Sequence, residues 1–255
     1  MDFQIISARA EHIPSLRLLW SEVFGDTDEL LDTFFEKEHN ITHSLCAIAD
    51  GKAVGMLHWL DFSFENQKIA YIYAVAVSED YRNNGIFTRL LQSSHDVLRD
   101  TGYAFSSLVP ASDSLFETYA SRGYLPLTSV GMTFASAKKP GVALHPIGCD
   151  EYIRERIKYL PEKSVNQHLK SDGILNQMYS FARGDGFILA YRREGERVFC
   201  PEILGERKDL SGIVSALGLK EGVFRHCCGD KPFSMYFPLT SAKLLLPDYF
   251  GFAFD

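Results

Sequence analysis

The stretch from residue 69 to 99 restricts the fold more than any other, because one residue periodicity gives way to another inside it. Ile69-Ala70-Tyr71-Ile72-Tyr73-Ala74-Val75-Ala76-Val77 is β-branched and aromatic without Gly, Pro or charge, which suits a central strand better than a short buried helix. Leu90, Leu91, His95 and Leu98 then fall roughly on one side of a helix over 88–99, which Thr101-Gly102 ends. Between the two lies the polar loop Ser78-Glu79-Asp80-Tyr81-Arg82-Asn83-Asn84-Gly85-Ile86-Phe87-Thr88. A loop that opens a helix offers backbone N–H groups without intrahelical partners, at the end where the helix dipole places roughly half a positive charge. Such a site holds a diphosphate. Arg82 adds a charge-assisted contact, and Gly85 lets the backbone approach oxygen atoms that a Cβ would hold off.

The surrounding pattern supplies a sheet for that strand. Apolar residues at 13, 16, 19, 20, 23 and 24 line one face of a helix, and a second helix covers 28–38. Strands over 44–48 and 53–62 are joined by Ala49-Asp50-Gly51-Lys52, where Asp-Gly makes the tight reversal. After the 88–99 helix come a strand over 104–109, a helix bearing Leu115, Phe116, Tyr119 and Ala120 that Gly123 closes, and a strand over 127–135. This order specifies an α+β domain with a mixed, mostly antiparallel sheet flanked by helices.

Ser136-Ala137-Lys138-Lys139-Pro140-Gly141 is polar and rich in breakers, as interdomain segments are. It divides a first domain, 1–137, from a second, smaller α+β domain, 138–255. There the pattern predicts helices over 151–160 and 165–181, strands over 187–191 and 197–204, a helix over 210–217 and strands over 223–227 and 234–239. An end strand carries Phe250, Phe252 and Phe254 on one side.

Bulk properties remove several function classes. A net charge of −7 without a run of five basic residues argues against nucleic acid and leaves small cationic molecules as attractive partners. The start shows no basic stretch followed by an apolar run, and no uncharged apolar segment approaches the roughly 20 residues that span a bilayer. A cytoplasmic protein with no membrane partner is the expectation. Five cysteines at 46, 149, 200, 227 and 228 include no Cys-x-x-Cys pair, so neither a disulfide framework nor a zinc knuckle is expected. His226-Cys227-Cys228 suggests metal binding, but neighbours in a strand point to opposite faces and no fourth ligand stands at zinc spacing, so no metal is expected. Hydrolase elbows, Walker-type phosphate loops and His-Glu-x-x-His helices are missing from the sequence.

Arg82, two residues, Gly85, one residue and Phe87 resemble the acyl-CoA signature of the Gcn5-related N-acetyltransferase (GNAT) superfamily: Arg or Gln, two residues, Gly, one residue, then Gly or Ala. Phe87 departs at the last position, where its backbone N–H remains. The Tyr81-Arg82 pair, the alternating Val75 and Val77 and the segment from Tyr119 to Tyr124 also stand where the superfamily has corresponding features. Element order agrees over residues 3–135.

The resemblance implies acetyl-CoA as co-substrate. Val75, Ala76 and Val77 would pair through their main chain with the pantetheine arm, and Arg82, Asn83, Asn84, Gly85, Ile86, Phe87 and Thr88 would cradle the pyrophosphate. An N–H near Val75 or Ala76 would polarise the thioester carbonyl. Tyr119 would protonate the departing thiolate, a phenol of pKa about 10 being set against a thiol of about 8.5 and the transfer expected to proceed; the alternative is a tyrosine that only packs. Ser112 stands where relatives often carry an Asn that holds the cofactor. The general base stays open among Tyr71, Tyr73, Glu79 and a carboxylate of the second half, Asp255 included.

In the second half the element order over 187–239 partly repeats the first, which suggests a degenerate GNAT-like copy. Gly205-Glu206-Arg207-Lys208-Asp209 stands where its phosphate loop would fall, acidic and without a second Gly. One cofactor site is therefore expected, with the second domain shaping the acceptor pocket or a homo-oligomer contact. The implied activity is N-acetyl transfer to a primary amine of a small-molecule or peptide acceptor by direct attack. A catalytically inactive acyl-CoA sensor or scaffold is the alternative.

Overall fold

The computed structural model describes residues 2–138, 141–206 and 209–254. They fall into two compact units. The first comprises Met1–Leu125, Asn166–His168 and Met235–Leu246, and the second Pro126–Val165, Leu169–Ser234 and Pro247–Asp255. Each unit thus draws on three stretches of chain, where the sequence suggests a single crossing at 137/138.

In the first unit, β1 (Gln4–Ser7) lies antiparallel to β2 (Ser44–Ala49). β2 and β3 (Lys52–Phe64) form the expected hairpin, with Asp50 and Gly51 at φ 50° and 74° in its reversal. β4 (Gln67–Val77) continues antiparallel, β5 (Phe105–Leu108) joins parallel, and Met235–Pro238 completes the sheet antiparallel to β5. The expected mixed, mostly antiparallel α+β architecture is what folds. The edge strand β1 was not foreseen, being only four residues long.

The two faces of this sheet differ. On one, α3 (Ile86–Asp100) and α4 (Asp113–Ala120) bury Leu90, Leu91, Leu98 and Tyr119 among Leu57, Trp59, Ala70 and Ile72. Phe237 stacks on His95 of α3 at 3.9 Å. On the other, Trp20 of α1 (Ile13–Phe24) and Phe34, which follows α2 (Asp28–Thr33), pack 5.5–5.8 Å from the rings of His58 and Tyr73. Below those rings His58 Nδ1 lies 2.6 Å from Ser44 Oγ, itself 2.8 Å from His39 Nε2.

The second unit contains β6 (Leu125–Ser136) from Pro126 on, β7 (His145–Ile147), α5 (Cys149–Tyr159), α6 (Ile174–Met178), β8 (Ser180–Gly184), β9 (Phe187–Glu194), β10 (Arg197–Gly205), α7 (Leu210–Ala216) and β11 (Glu221–Pro238) as far as Ser234. β7 to β10 form an antiparallel meander, β11 joins β10 in parallel, and β6 pairs with β11. Its core gathers Leu189, Val198, Ile203, Ile213, Val214 and Phe224.

Three expectations in this half are overturned. The helix over 165–181 is replaced by irregular chain, α6 and β8, because Gly173 interrupts the apolar spacing and serves as the α6 N-cap. The strands over 223–227 and 234–239 are parts of one strand, β11. Residues 250–254 form no strand: Phe250, Gly251, Phe252, Ala253 and Phe254 are all buried, so the alternation of large and small residues fills a core instead of marking an inner and an outer face.

Candidate active site

β4 changes course midway. Its pairing with β3 runs His58↔Tyr73 and then Met56↔Ala76, so Ala74 and Val75 together oppose Leu57 alone. This is a bulge on β4. Ala74 takes φ 50°, a left-handed value that a residue with a Cβ adopts at some strain. The parallel pairing with β5 covers Ile69–Tyr71 and, among the described residues, goes no further. Beyond Tyr71 the β5-facing edge of β4 is therefore not covered by β5, and Val75, Ala76 and Val77 lie on this stretch. Val75 and Val77 are half-buried against the core.

The loop beyond β4 is tied down locally. Ser78 N–H donates to Val54 O at 2.9 Å, Glu79–Tyr81 form one tight turn, and Asn84 Nδ2 donates to the carbonyls of Tyr81 and Arg82 at 3.2 and 3.0 Å. Asn83 and Gly85 both have positive φ, 63° and 80°. Gly85 is the N-cap of α3 and supplies no side-chain cap. The first intrahelical bond is Arg89 N–H to Gly85 O at 3.0 Å, which leaves the N–H groups of Ile86, Phe87 and Thr88 without intrahelical partners. A Cβ on Gly85 would meet nothing within 4 Å, so glycine serves the backbone angle and keeps the space before the helix open. Arg82, Asn83, Asn84 and Gly85 are exposed, and Arg82 Nε donates to Val77 O at 3.3 Å. These residues form one continuous feature with the open edge of β4.

Tyr119 is buried on α4, facing this feature. Its ring lies 5.6 Å from Phe87 and 5.4 Å from Tyr124. Burial pushes the phenol up to about 12, with the nearby Arg122 guanidinium opposing the rise. Phe87, which departs from the signature, is thus the side chain that packs on Tyr119. Arg122 is a site residue that sequence reading missed. Its Nε donates to Thr88 Oγ1 at 3.1 Å, its Nη1 donates to Thr118 O at 2.6 Å, and its guanidinium lies 5.0 Å from the Phe87 ring centre. A second cation therefore stands beside the first turn of α3. Its only sequence signal was the Arg-Gly pair after Tyr119.

The other expected residues are scattered. Tyr71 is buried between Phe62 and Tyr73 at 5.0 and 5.9 Å, which is a packing position. Tyr73 is half-buried beside the bulge, and Glu79 is exposed in the loop. Glu22, not singled out in the sequence, accepts from Ser78 Oγ at 3.0 Å at the end of β4. Ser112 Oγ contacts Ser114 Oγ at 3.0 Å and caps nothing. Asp255, Arg207 and Lys208 lie outside the described residues. Among the described residues, no helix is long and apolar enough to cross a membrane.

Comparisons with known proteins place this geometry in context. The family described as Acetyltransferase (GNAT) domain matches residues 4–126. An aminoglycoside 2'-N-acetyltransferase of Mycolicibacterium fortuitum is 34% identical over 88 residues, 32% of this chain and 44% of that protein. The match thus spans less than half the length of this curated relative. Among solved structures, a probable N-acyltransferase from Enterococcus faecalis V583 superposes with a TM-score of 0.70 at 14% identity, over 94% of this chain and 73% of that one. A tandem GNAT protein from the clavulanic acid biosynthesis pathway superposes at 0.58 with 11% identity, over 95% and 99%. These structural likenesses concern the fold. Over residues 4–126, a little under half of its length, the chain matches the Acetyltransferase (GNAT) domain family.

Proposed function

We propose that this protein transfers the acetyl group of acetyl-CoA to a primary amine of a small cationic acceptor by direct attack. The observation that carries the reading is the open edge of β4 running into the uncapped start of α3. An extended amide chain adds to a sheet edge by main-chain hydrogen bonds, and Val75 to Val77 offer that edge. A diphosphate suits the N–H groups of Ile86, Phe87 and Thr88, with Arg82 and Arg122 as flanking cations. The bulge at Ala74 turns main-chain groups toward the end of such a chain, where an N–H would polarise a thioester carbonyl.

In the reaction the amine nitrogen forms the new C–N bond as the C–S bond breaks; CoA leaves as the thiolate, and the nitrogen gives up one proton to solvent. Tyr119 would then act at the sulfur. At about 12 its pKa lies above that of an ordinary thiol, about 8.5. Full proton transfer from Tyr119 is therefore uphill on its own, and the phenol is better suited to donating a hydrogen bond to the negative charge developing on sulfur. Arg122 favours that charge through Phe87 and Thr88, the residues it contacts.

Aminoglycosides are the first acceptors to offer, because the curated relative is named for them and the chain carries a net charge of −7. The test is acetyl-CoA-dependent thiol release with an aminoglycoside, a polyamine and a peptide amine. Release with at least one of them supports the reading. Acetyl-CoA binding without release for any amine would leave a binding module.

A further inference from the structure

The sequence places Cys227 and Cys228 on opposite faces of a strand, and the structure does not. Their Sγ atoms lie 3.5 Å apart, Cys227 half-buried and Cys228 exposed. The backbone beside them is held by a close crossing of β6 and β11. A Cβ on Gly131 would fall 2.0 Å from His226 Cε1 and 2.2 Å from the Cys228 carbonyl oxygen, and one on Gly229 would fall 2.3 Å from Gly131 Cα. Only glycines permit that approach. Thr133 Oγ1 and His226 Nε2, 3.0 Å apart, add a side-chain link between the same two strands. The dithiol is pre-organised by its backbone, and one of its sulfurs faces solvent.

Geometry decides between a direct disulfide and a bridged pair. Consecutive Cα atoms across a trans peptide are about 3.8 Å apart, whereas disulfides join Cα atoms about 4.4–6.8 Å apart. A bond between these neighbours would be strained. One bridging atom with bonds of about 2.3 Å to each sulfur and a tetrahedral angle spans about 3.8 Å, close to the 3.5 Å present. A tetrahedral metal would need further ligands, and among the described residues no group of three or more His, Cys, Asp or Glu side chains assembles. The partner is then a soft centre that needs only two sulfurs from the protein.

We propose that Cys227 and Cys228 form a dithiol site for soft thiophilic electrophiles that take both sulfurs on one atom, with trivalent organoarsenicals as the representative class. An organoarsenic(III) oxide reacts with the two thiols so that two As–S bonds form while two S–H bonds and the As–O linkage break. Both protons leave on that oxygen as water, and arsenic stays trivalent. Cys46, Cys149 and Cys200 are buried and do not compete. Burial also pushes the Cys46 and Cys149 thiols up to about 11.

The probe is phenylarsine oxide added to the full chain, read by intact mass after washing with excess glutathione and then with a dithiol. Wild type is expected to keep a single phenylarsenic group through the monothiol wash and to lose it to the dithiol. Cys227→Ser and Cys228→Ser should each lose the group to glutathione. The proposal is overturned if glutathione strips the wild-type adduct, a result that needs no variant. Retention by both variants would overturn it too, as would a mass lower by two hydrogens with no arsenic, which is a vicinal disulfide.

Discussion

Tyr119 and Arg122 are three residues apart in sequence, yet they meet the first turn of α3 by different routes, one through the Phe87 ring and the other through Thr88 Oγ1. Two predictions belong to them. Tyr119→Phe removes the donor and keeps the ring, so kcat should fall by about 10²-fold, the lower end for a positioned proton donor, while the KM for acetyl-CoA holds. Steady-state kinetics at saturating acceptor reads this, and unaltered kcat would take Tyr119 out of the mechanism. Arg122→Gln should raise the KM for acetyl-CoA about tenfold, the scale of one hydrogen bond to a charged group. An unchanged KM would make Arg122 a structural tether for Thr88 alone. Arg82 and Gly85 were legible in the sequence because their signal is local: a Gly at a left-handed helix start and an Arg beside it. Arg122 was not, because its proximity to Thr88, 34 residues away, arises only when α4 packs beside α3.

At the scale of elements, the bulge in β4 and a buried ion pair in the second unit make distinct demands. Ala74 is left-handed at φ 50°. Ala74→Gly should change stability by less than about 1 kcal/mol, whereas the β-branched Ala74→Val should cost about 1–3 kcal/mol. Urea midpoints measure both, and a neutral Ala74→Val would mean that β4 does not need the bulge. In the second unit the fully buried Glu202 accepts from Arg156 Nε and Nη2 at 2.6 and 2.8 Å, and from the Tyr152 and Tyr249 hydroxyls at 2.6 Å each. Arg156→Ala leaves that carboxylate uncompensated and should cost about 3–5 kcal/mol. A loss below about 1 kcal/mol would show that water replaces the guanidinium. Apart from β1, the helices and strands up to residue 136 were readable because periodicity and turn chemistry agree along the chain. The 165–181 segment misled because its apolar residues have helical spacing while Ser171-Asp172-Gly173 breaks it and Asn166 pairs with Ser63. That Met235–Pro238 would flank β5 is a long-range pairing that no local pattern encodes.

For the whole molecule, the buried His58 and His95 and the half-buried His39 set how stability responds to acid. Burial lowers His58 to about 3 and His39 and His95 to about 4, with the neighbouring His39, His43 and Arg99, respectively, adding to the effect. All three are neutral when folded at pH 6. An unfolded chain has ordinary histidines with pKa about 6.5 and binds protons that the folded chain refuses, so stability is full above that value and falls as pH drops from about 6.5 toward 4. Melting temperatures across that range should decline steadily. A rise between pH 7 and 5 would contradict the neutral assignment. The most direct test of the proposed function is the shift in melting temperature on adding acetyl-CoA, compared between wild type and Gly85→Glu. Glu at this position places a carboxylate and a side chain in the open space before α3. Ligand at 100 times its dissociation constant stabilises by about 2.7 kcal/mol, so wild type should show a clear upward shift and the variant none. No shift in wild type, or equal shifts in both, would mean that the start of α3 is not where acetyl-CoA binds.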